Sequence, residues 1–300
     1  MPKAAAMRAT WVAIGANMFL LALKASASGL SDSLTIFSET LNSLSDVVSS
    51  VVILLCVRWA WMSPDEDHPF GHGRAEPIAG LVVAIFTGIL GYEVCKTALL
   101  NLWHGEVPHR IGPYPIVALC ITGLLKAWLS VYFRRRGAAL NSPALRATAV
   151  DCRNDVLVAC QGLVAVVVAT LRLPLLDTLG ALIIGIYILY SGHRIGMENL
   201  GYLMGRAHAP ELLERIRKAA EAVPGVEGVA DVKGHYVGTF VHVELTVIVD
   251  GTLTTAVSHD VCEATRTAVE SVGSVDRAFV HMAPIHLPST PSGVAPPRPT

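Results

Sequence analysis

The chain has 300 residues, of which 52% are hydrophobic and only 16% are charged, and its formal net charge is -1. A composition this apolar excludes an ordinary soluble protein and favours an integral membrane protein. The nearly neutral charge, without a basic face or tail, excludes a nucleic acid as partner.

Apolar stretches of about 20 residues, the length that crosses a bilayer, recur along residues 1–206. They lie near 9–28, 34–58, 77–100, 112–133, 145–171 and 175–193. Lys and Arg in the connections fall on one side except for Arg110 and Arg172, which predicts that both termini are cytoplasmic. The sequence therefore predicts a membrane-embedded, all-α bundle of six transmembrane helices over 1–206.

Beyond Arg206 the pattern becomes that of a small water-soluble domain. Leu213, Ile216, Ala220 and Val223 recur at helical spacing, and apolar residues alternate strictly over 241–249, as in a half-buried strand. A second helix is predicted near 254–272 and a last strand near 275–283. These elements predict a cytoplasmic α+β domain over 207–286, and the Pro/Ser/Gly-rich tail 287–300 is predicted to be disordered.

Two pairs of polar residues lie inside predicted spans. Asn42 and Asp46 are four residues apart on span two, and Asp151 and Asp155 repeat this spacing on span five, so each pair shares one helical face. Charges in a bilayer core are costly and usually face a cavity or a bound ion. A single polar residue there is often satisfied by a neighbouring helix, but two such pairs favour a divalent-cation site with four oxygen donors.

Protons should compete with the metal at this site. Three carboxylates so close together cannot all stay ionised without a cation, because repulsion and desolvation oppose it. Glu39, one turn before the first pair, and Asp177, at the start of span six, are weaker candidates that fit the outer surface or helix orientation better.

Three stretches carry a resemblance to the cation diffusion facilitator family of divalent-metal transporters. They are SETLNSLSD at 38–46, the loop PDEDHPFGHGRAE at 64–76, and ATAVDCRND at 147–155. The resemblance implies a homodimer with six spans per chain and a cytoplasmic domain of metallochaperone-like, ferredoxin-like fold, which moves metal against protons. We expect it in a bacterial inner (plasma) membrane.

The expected metal follows from two departures from the zinc-transporting members. Those members usually carry His or Asp where Asn42 stands and His where Asp151 stands. Here every predicted donor is a hard oxygen, which favours Mn²⁺ over Zn²⁺ and resembles the manganese-exporting branch. Fe²⁺ remains close behind, and Mg²⁺ is disfavoured because it gives up water reluctantly.

Two further metal sites are implied by the resemblance. Asp65, His68 and His72 match a second site in the loop between spans two and three, although a loop hydrogen-bonded by its own side chains would also explain them. In the cytoplasmic domain, the positions where family members hold metal between two copies are His235, His242, His259 and His281. Taken alone, each of them is more often a surface or core histidine than a metal ligand. Met282 and Ala283 stand where the family has a further carboxylate, which speaks against a full binuclear site.

The function expected from the sequence is Mn²⁺/H⁺ antiport out of the cytoplasm by alternating access. No G-x-x-x-x-G-K-[ST] loop occurs, so ATP is not expected as a cofactor. The alternatives are efflux of Fe²⁺ or Zn²⁺ by the same mechanism and a membrane-anchored metal sensor. A membrane-embedded metallohydrolase, with His68 and His72 as ligands and Asp65 or Glu76 as base, leaves the paired intramembrane acids unexplained.

Overall fold

The computed structural model describes residues 2–29, 34–104, 113–170, 174–207, 210–273 and 275–285. The chain divides into two compact units, Met1–Met204 and Gly205–Thr300. The tail 287–300, predicted to be disordered, lies outside the described residues.

The first unit consists of long helices. They are α1 (Pro2–Gly29), α2 (Leu34–Ala60), α3 (Ala75–His104), α4 (Pro113–Ala139), α5 (Pro143–Thr170) and α6 (Pro174–Leu203). The last three begin at a proline, which suits the first helical position because its missing N–H would have no partner there. The helices pack in neighbouring pairs, α1 with α2, α3 with α6 and α4 with α5, and α5 also contacts α3 and α6.

Small residues let α3 and α6 approach closely. A Cβ added at Gly91 of α3 would lie 2.8 Å from the backbone nitrogen of Leu189, and one added at Gly192 of α6 would lie 3.1 Å from the nitrogen of Gly88. Such glycines replace side-chain volume by direct backbone packing, as is common between helices in a bilayer.

Five of the described helices are long and apolar enough to cross a membrane, in the segments Lys3–Ser26, Asn42–Ala60, Ala75–Trp103, Ile116–Ala139 and Thr178–Leu203. The remaining long helix, α5, has 28 residues and packs against α3, α4 and α6. Its first half carries Arg146, Asp151, Arg153 and Asp155. The predicted span with the most charges is therefore the one that holds the second acidic pair.

The second unit is a small sheet covered by helices. Its elements are α7 (Pro210–Glu221), β1 (Gly228–Val237), β2 (Phe240–Val249), α8 (Thr255–Glu270) and β3 (Val275–Pro284). β1 and β2 form an antiparallel hairpin, while β2 and β3 are parallel and are joined through α8. Alternate residues of β2 enter the core with residues of α7 and α8, notably Val243, Val247, Ile216 and Val269.

This architecture confirms the predicted fold class. A helical transmembrane region precedes a C-terminal domain with the α+β composition of a ferredoxin-like fold. The alternation over 241–249 corresponds to β2, and the predicted helix near 254–272 corresponds to α8.

Candidate metal centre

A cavity of about 130 Å³ lies inside the helical unit. Its lining comes from α1, α2, α3, α4 and α5, and most of the apolar residues lie on α3 and α5. The polar and charged residues that line it are Lys24, Asn42, Ser43, Ser45, Asp46, Thr122, Lys126, Asp151 and Asp155. None of the described residues that line the cavity is a histidine or a cysteine, so it offers only oxygen ligands.

The carboxylates of both predicted acidic helices meet at this cavity. One oxygen from each of Asp46, Asp151 and Asp155 lies within 4.8 Å of the other two, a spacing that a single cation could bridge. The two acids of α5 are four residues apart, so one helical turn brings both to the same face. The side chains of Asp46 and Asp155 are 30% and 14% exposed, so access to solvent is restricted.

Asn42 lines the same cavity from one turn earlier on α2. All four residues predicted for the intramembrane site therefore surround one space, although their role as ligands stays a prediction. We refer to Asn42, Asp46, Asp151 and Asp155 by the role predicted for them, as the transport site. The side chains of the weaker candidates, Glu39 and Asp177, lie outside the described part of the chain.

Sequence reasoning missed a lysine in this cavity. The ammonium of Lys126, on α4, lies 2.8 Å from Oδ2 of Asp46 and 2.5 Å from Oδ2 of Asp155, and its side chain is 2% exposed. The signal was present, since an ionisable residue inside an apolar span is by default a functional candidate. Lys126 was overlooked because no second charged residue lies at helical spacing from it within its own span.

Two other contacts fix the geometry of the acids. The hydroxyl of Thr87, on α3, donates a 2.8 Å hydrogen bond to Oδ1 of Asp151. Asn17, on α1, donates to the hydroxyl of Ser50 at 2.7 Å, and that hydroxyl donates to the backbone oxygen of Asp46 at 2.8 Å. The first contact orients the carboxylate of Asp151 before any metal arrives, and the second anchors α2 to α1 at the backbone of Asp46.

The loop residues form a second cluster. Ligand atoms of Asp65, His68 and His72 lie within 4.8 Å of one another. The backbone N–H of His68 donates to Oδ1 of Asp65 at 2.7 Å, and this hydrogen bond holds the pKa of Asp65 below its usual value, with the two imidazoles contributing less. The carboxylate is therefore ionised at neutral pH. This contact is also what a loop stabilised by its own side chains would show, so both interpretations of the motif stay open.

The cytoplasmic histidines are only partly brought together. His235 and His242 are opposite each other on β1 and β2, with ring centroids 5.9 Å apart. His281 is on β3, opposite Thr246, and His259 is exposed on α8. Among the described residues of this unit, no group of three or more possible ligands from His, Cys, Asp and Glu lies close enough together to hold a metal.

His242 is the most buried of these histidines. Burial lowers its pKa, against the opposing effect of Asp276, whose carboxylate lies 3.7 Å from Nε2. A neutral imidazole is the form that binds a metal.

Glu76 takes no part in either metal cluster. Its side chain is completely buried at the start of α3, and its Oε2 accepts a 2.5 Å hydrogen bond from the hydroxyl of Ser142, in the connection before α5. The carboxylate thus connects two helix ends, and it is not placed as the base that a hydrolase would need.

Residues 10–204 match the protein family described as the cation efflux transmembrane domain, and residues 209–285 match the cation efflux protein cytoplasmic domain. An uncharacterized transporter of Methanocaldococcus jannaschii is 31% identical over 271 residues, which cover 90% of this chain and 95% of that protein. The manganese efflux system protein MneS of Bacillus subtilis is 29% identical over 276 residues, covering 91% and 94%. The cadmium form of a MamM CTD variant is a solved structure with 32% identity; it covers 26% of this chain and 100% of its own, with a TM-score of 0.26.

Proposed function

Since this chain belongs to the cation efflux family of membrane transporters, which move divalent metal cations and are not enzymes, we propose that it exports Mn²⁺ from the cytoplasm in exchange for protons. The observation that carries the choice of metal is that the described residues lining the cavity around Asp46, Asp151 and Asp155 supply oxygen donors but no histidine or cysteine.

The donor set favours Mn²⁺ on chemical grounds. Carboxylate and amide oxygens suit hard cations, whereas imidazole and thiolate are the ligands that select Zn²⁺ and the later metals. The relative MneS is named for manganese efflux, which agrees with this choice. Fe²⁺ is the second candidate, because the same oxygens would hold it and the Irving–Williams order places it above Mn²⁺.

Exchange with protons follows from the crowding of the acids. The three negatively charged carboxylates repel each other in a site with little water, so they bind either a metal ion or protons. Metal and protons therefore compete for the same oxygens. Metal enters from the cytoplasm and binds Asp46, Asp151 and Asp155, and it leaves outside when the bundle rocks open and protons return to them. The proton gradient then drives efflux without ATP.

We further propose that the transporter works as a homodimer in a bacterial plasma membrane, with both termini in the cytoplasm. The match of residues 209–285 to the cytoplasmic domain of the family supports the assignment of the second unit to that side. His235, His242, His259 and His281 would then bind metal only where two copies meet. The loop site of Asp65, His68 and His72 would bind metal within one chain.

Uptake of metal into inside-out proteoliposomes under an imposed pH gradient tests the proposal. Mn²⁺, Fe²⁺ and Zn²⁺ are compared for the wild type and for the double variant Asn42→His with Asp151→His. We expect the wild type to prefer Mn²⁺ and the double variant to gain Zn²⁺ flux at the expense of Mn²⁺, because imidazole replaces oxygen. Glu221→His, which adds an imidazole at the exposed end of α7, should leave the preference unchanged.

Three results would overturn parts of the proposal. Equal Mn²⁺ and Zn²⁺ flux in the wild type would remove the argument from oxygen ligands. Metal flux that persists in Asp46→Ala would contradict the assignment of the transport site. Metal flux that does not depend on the direction of the pH gradient would contradict the antiport mechanism.

A further inference from the structure

The ammonium of Lys126 occupies the place between two transport-site carboxylates where a metal ion would be held. We propose that Lys126 is a tethered competitor of the transported metal: it neutralises the metal-free site and must be displaced before Asp46 and Asp155 can both bind the metal. This inference rests on the proposed function and adds to it a residue that sets affinity and selectivity.

The contacts of Lys126 are with the very atoms that a metal needs. Its Nζ lies 2.8 Å from Oδ2 of Asp46 and 2.5 Å from Oδ2 of Asp155, so it joins α4 to both α2 and α5. The side chain is 2% exposed and lines the cavity. An ammonium that stayed in this position would repel an arriving dication strongly, because the cavity is shielded from bulk water.

The structure also offers a place for the displaced ammonium. Thr122 lies one turn before Lys126 on the same face of α4, and it lines the same cavity. Its hydroxyl is buried and has no hydrogen-bond partner among the described residues. Long side chains in a helix lean toward its N-terminus, so the Thr122 hydroxyl lies in the direction in which the Lys126 side chain can rotate.

A tethered cation has two consequences for transport. It lowers the affinity for metal, so the site can release its cargo instead of trapping it. It also discriminates by charge: a free monovalent ion gains no more from the carboxylates than the ammonium already does, whereas a divalent ion gains about twice as much at equal distance.

A purely structural role for Lys126 makes the opposite prediction about affinity. If the ion pairs only hold α4 against α2 and α5, removing the ammonium would loosen the carboxylates and weaken metal binding. If Lys126 competes with the metal, removing it would strengthen binding and slow release.

The test measures Mn²⁺ affinity and flux of the full-length protein in nanodiscs and proteoliposomes. Equilibrium competition with a fluorescent Mn²⁺ chelator gives the affinity. The part of the Mn²⁺ binding that is lost in Asp151→Ala is the binding at the transport site. We expect Lys126→Met to bind Mn²⁺ more tightly by on the order of tenfold or more, since one repelling charge has gone, and to turn over more slowly. Lys96→Met removes a lysine that is 48% exposed and pairs with Glu93 on α3, so it should match the wild type.

Thr122→Val keeps the ion pairs and covers the case in which Lys126→Met fails to fold. We expect it to weaken Mn²⁺ binding, because the displaced ammonium loses its acceptor. Unchanged or weaker binding in a folded Lys126→Met protein overturns the proposal, as does wild-type affinity in Thr122→Val. If Asp151→Ala instead removes neither Mn²⁺ binding nor flux, the transport site itself has been misassigned and the proposed function fails.

Discussion

The hydrogen bond from Thr87 to Asp151 is a precise place to perturb the transport site. Thr87 is fully buried on α3, and its hydroxyl donates to Oδ1 of Asp151 at 2.8 Å. The substitution Thr87→Val replaces only this hydroxyl by a methyl group of similar size. It leaves the carboxylate in place but removes the partner that orients it.

The expected effect can be worked from this contact. A hydrogen bond to a charged group contributes about 1.5–3 kcal/mol, and each 1.4 kcal/mol corresponds to about a factor of ten in affinity. Losing a partner that orients a metal ligand typically weakens metal binding by about 10–100-fold. We therefore expect Thr87→Val to raise the Mn²⁺ concentration at half-maximal flux by about ten- to a hundredfold.

The assay is Mn²⁺ flux in proteoliposomes over a range of metal concentrations, with thermal stability measured in parallel. Thr87→Ser retains the hydroxyl and should stay near the wild type. Thr10→Val is the matched control, because Thr10 is equally buried but donates only to the backbone oxygen of Met7 in its own helix. Wild-type flux in a folded Thr87→Val protein would refute the idea that Asp151 must be held by α3 to bind metal.

Gly91→Ala should destabilise the protein by about 1–3 kcal/mol through overpacking, because its Cβ would lie 2.8 Å from the backbone nitrogen of Leu189. Gly15→Ala should be neutral or slightly stabilising, because no described atom apart from the backbone of its own helix lies within 4 Å of the added Cβ; melting temperatures in detergent that are equal for the two variants would contradict this. Burial lowers the pKa of His242, so the unfolded chain takes up the proton first as pH falls. Protection of β1 and β2 from amide exchange in the full chain should therefore decrease from about pH 6.5 downward and be unaffected above it, and His242→Gln should flatten the profile. An unchanged profile in that variant would show that another group is responsible.

Much of the transport site is predictable because its acids lie on two helices at regular spacing. Asp151 and Asp155 share a face by the geometry of one helical turn, and this holds whatever packs against them. Thr87 and Lys126 reach the site from α3 and α4, and no periodicity within one helix encodes a contact between helices. The sequence predicts which faces are polar, whereas only the packed bundle shows which polar groups meet.

In the second unit, too, the sequence predicts only part of the strand structure. The strict alternation of β2 predicts that strand directly, since one face is buried and the other is not. β1 lacks this signal: its pairing with β2 shifts between Val229 and Asp231, so buried and exposed residues do not alternate along it. The pairing of His235 with His242 depends on this register and therefore follows from the structure alone.

The charges on α5 also bear on how the protein is made. Each ionised residue near the centre of a helix adds about 2.5–3.5 kcal/mol to the cost of its insertion by the translocon, so α5 is a poor candidate to enter the bilayer alone. Only Leu140, Asn141 and Ser142 separate it from α4. We expect these two helices to enter as a preformed hairpin, in which the pairing of Lys126 with Asp155 already cancels opposite charges. The ion pair that the arriving metal would later have to break would then also help the nascent chain to enter the membrane.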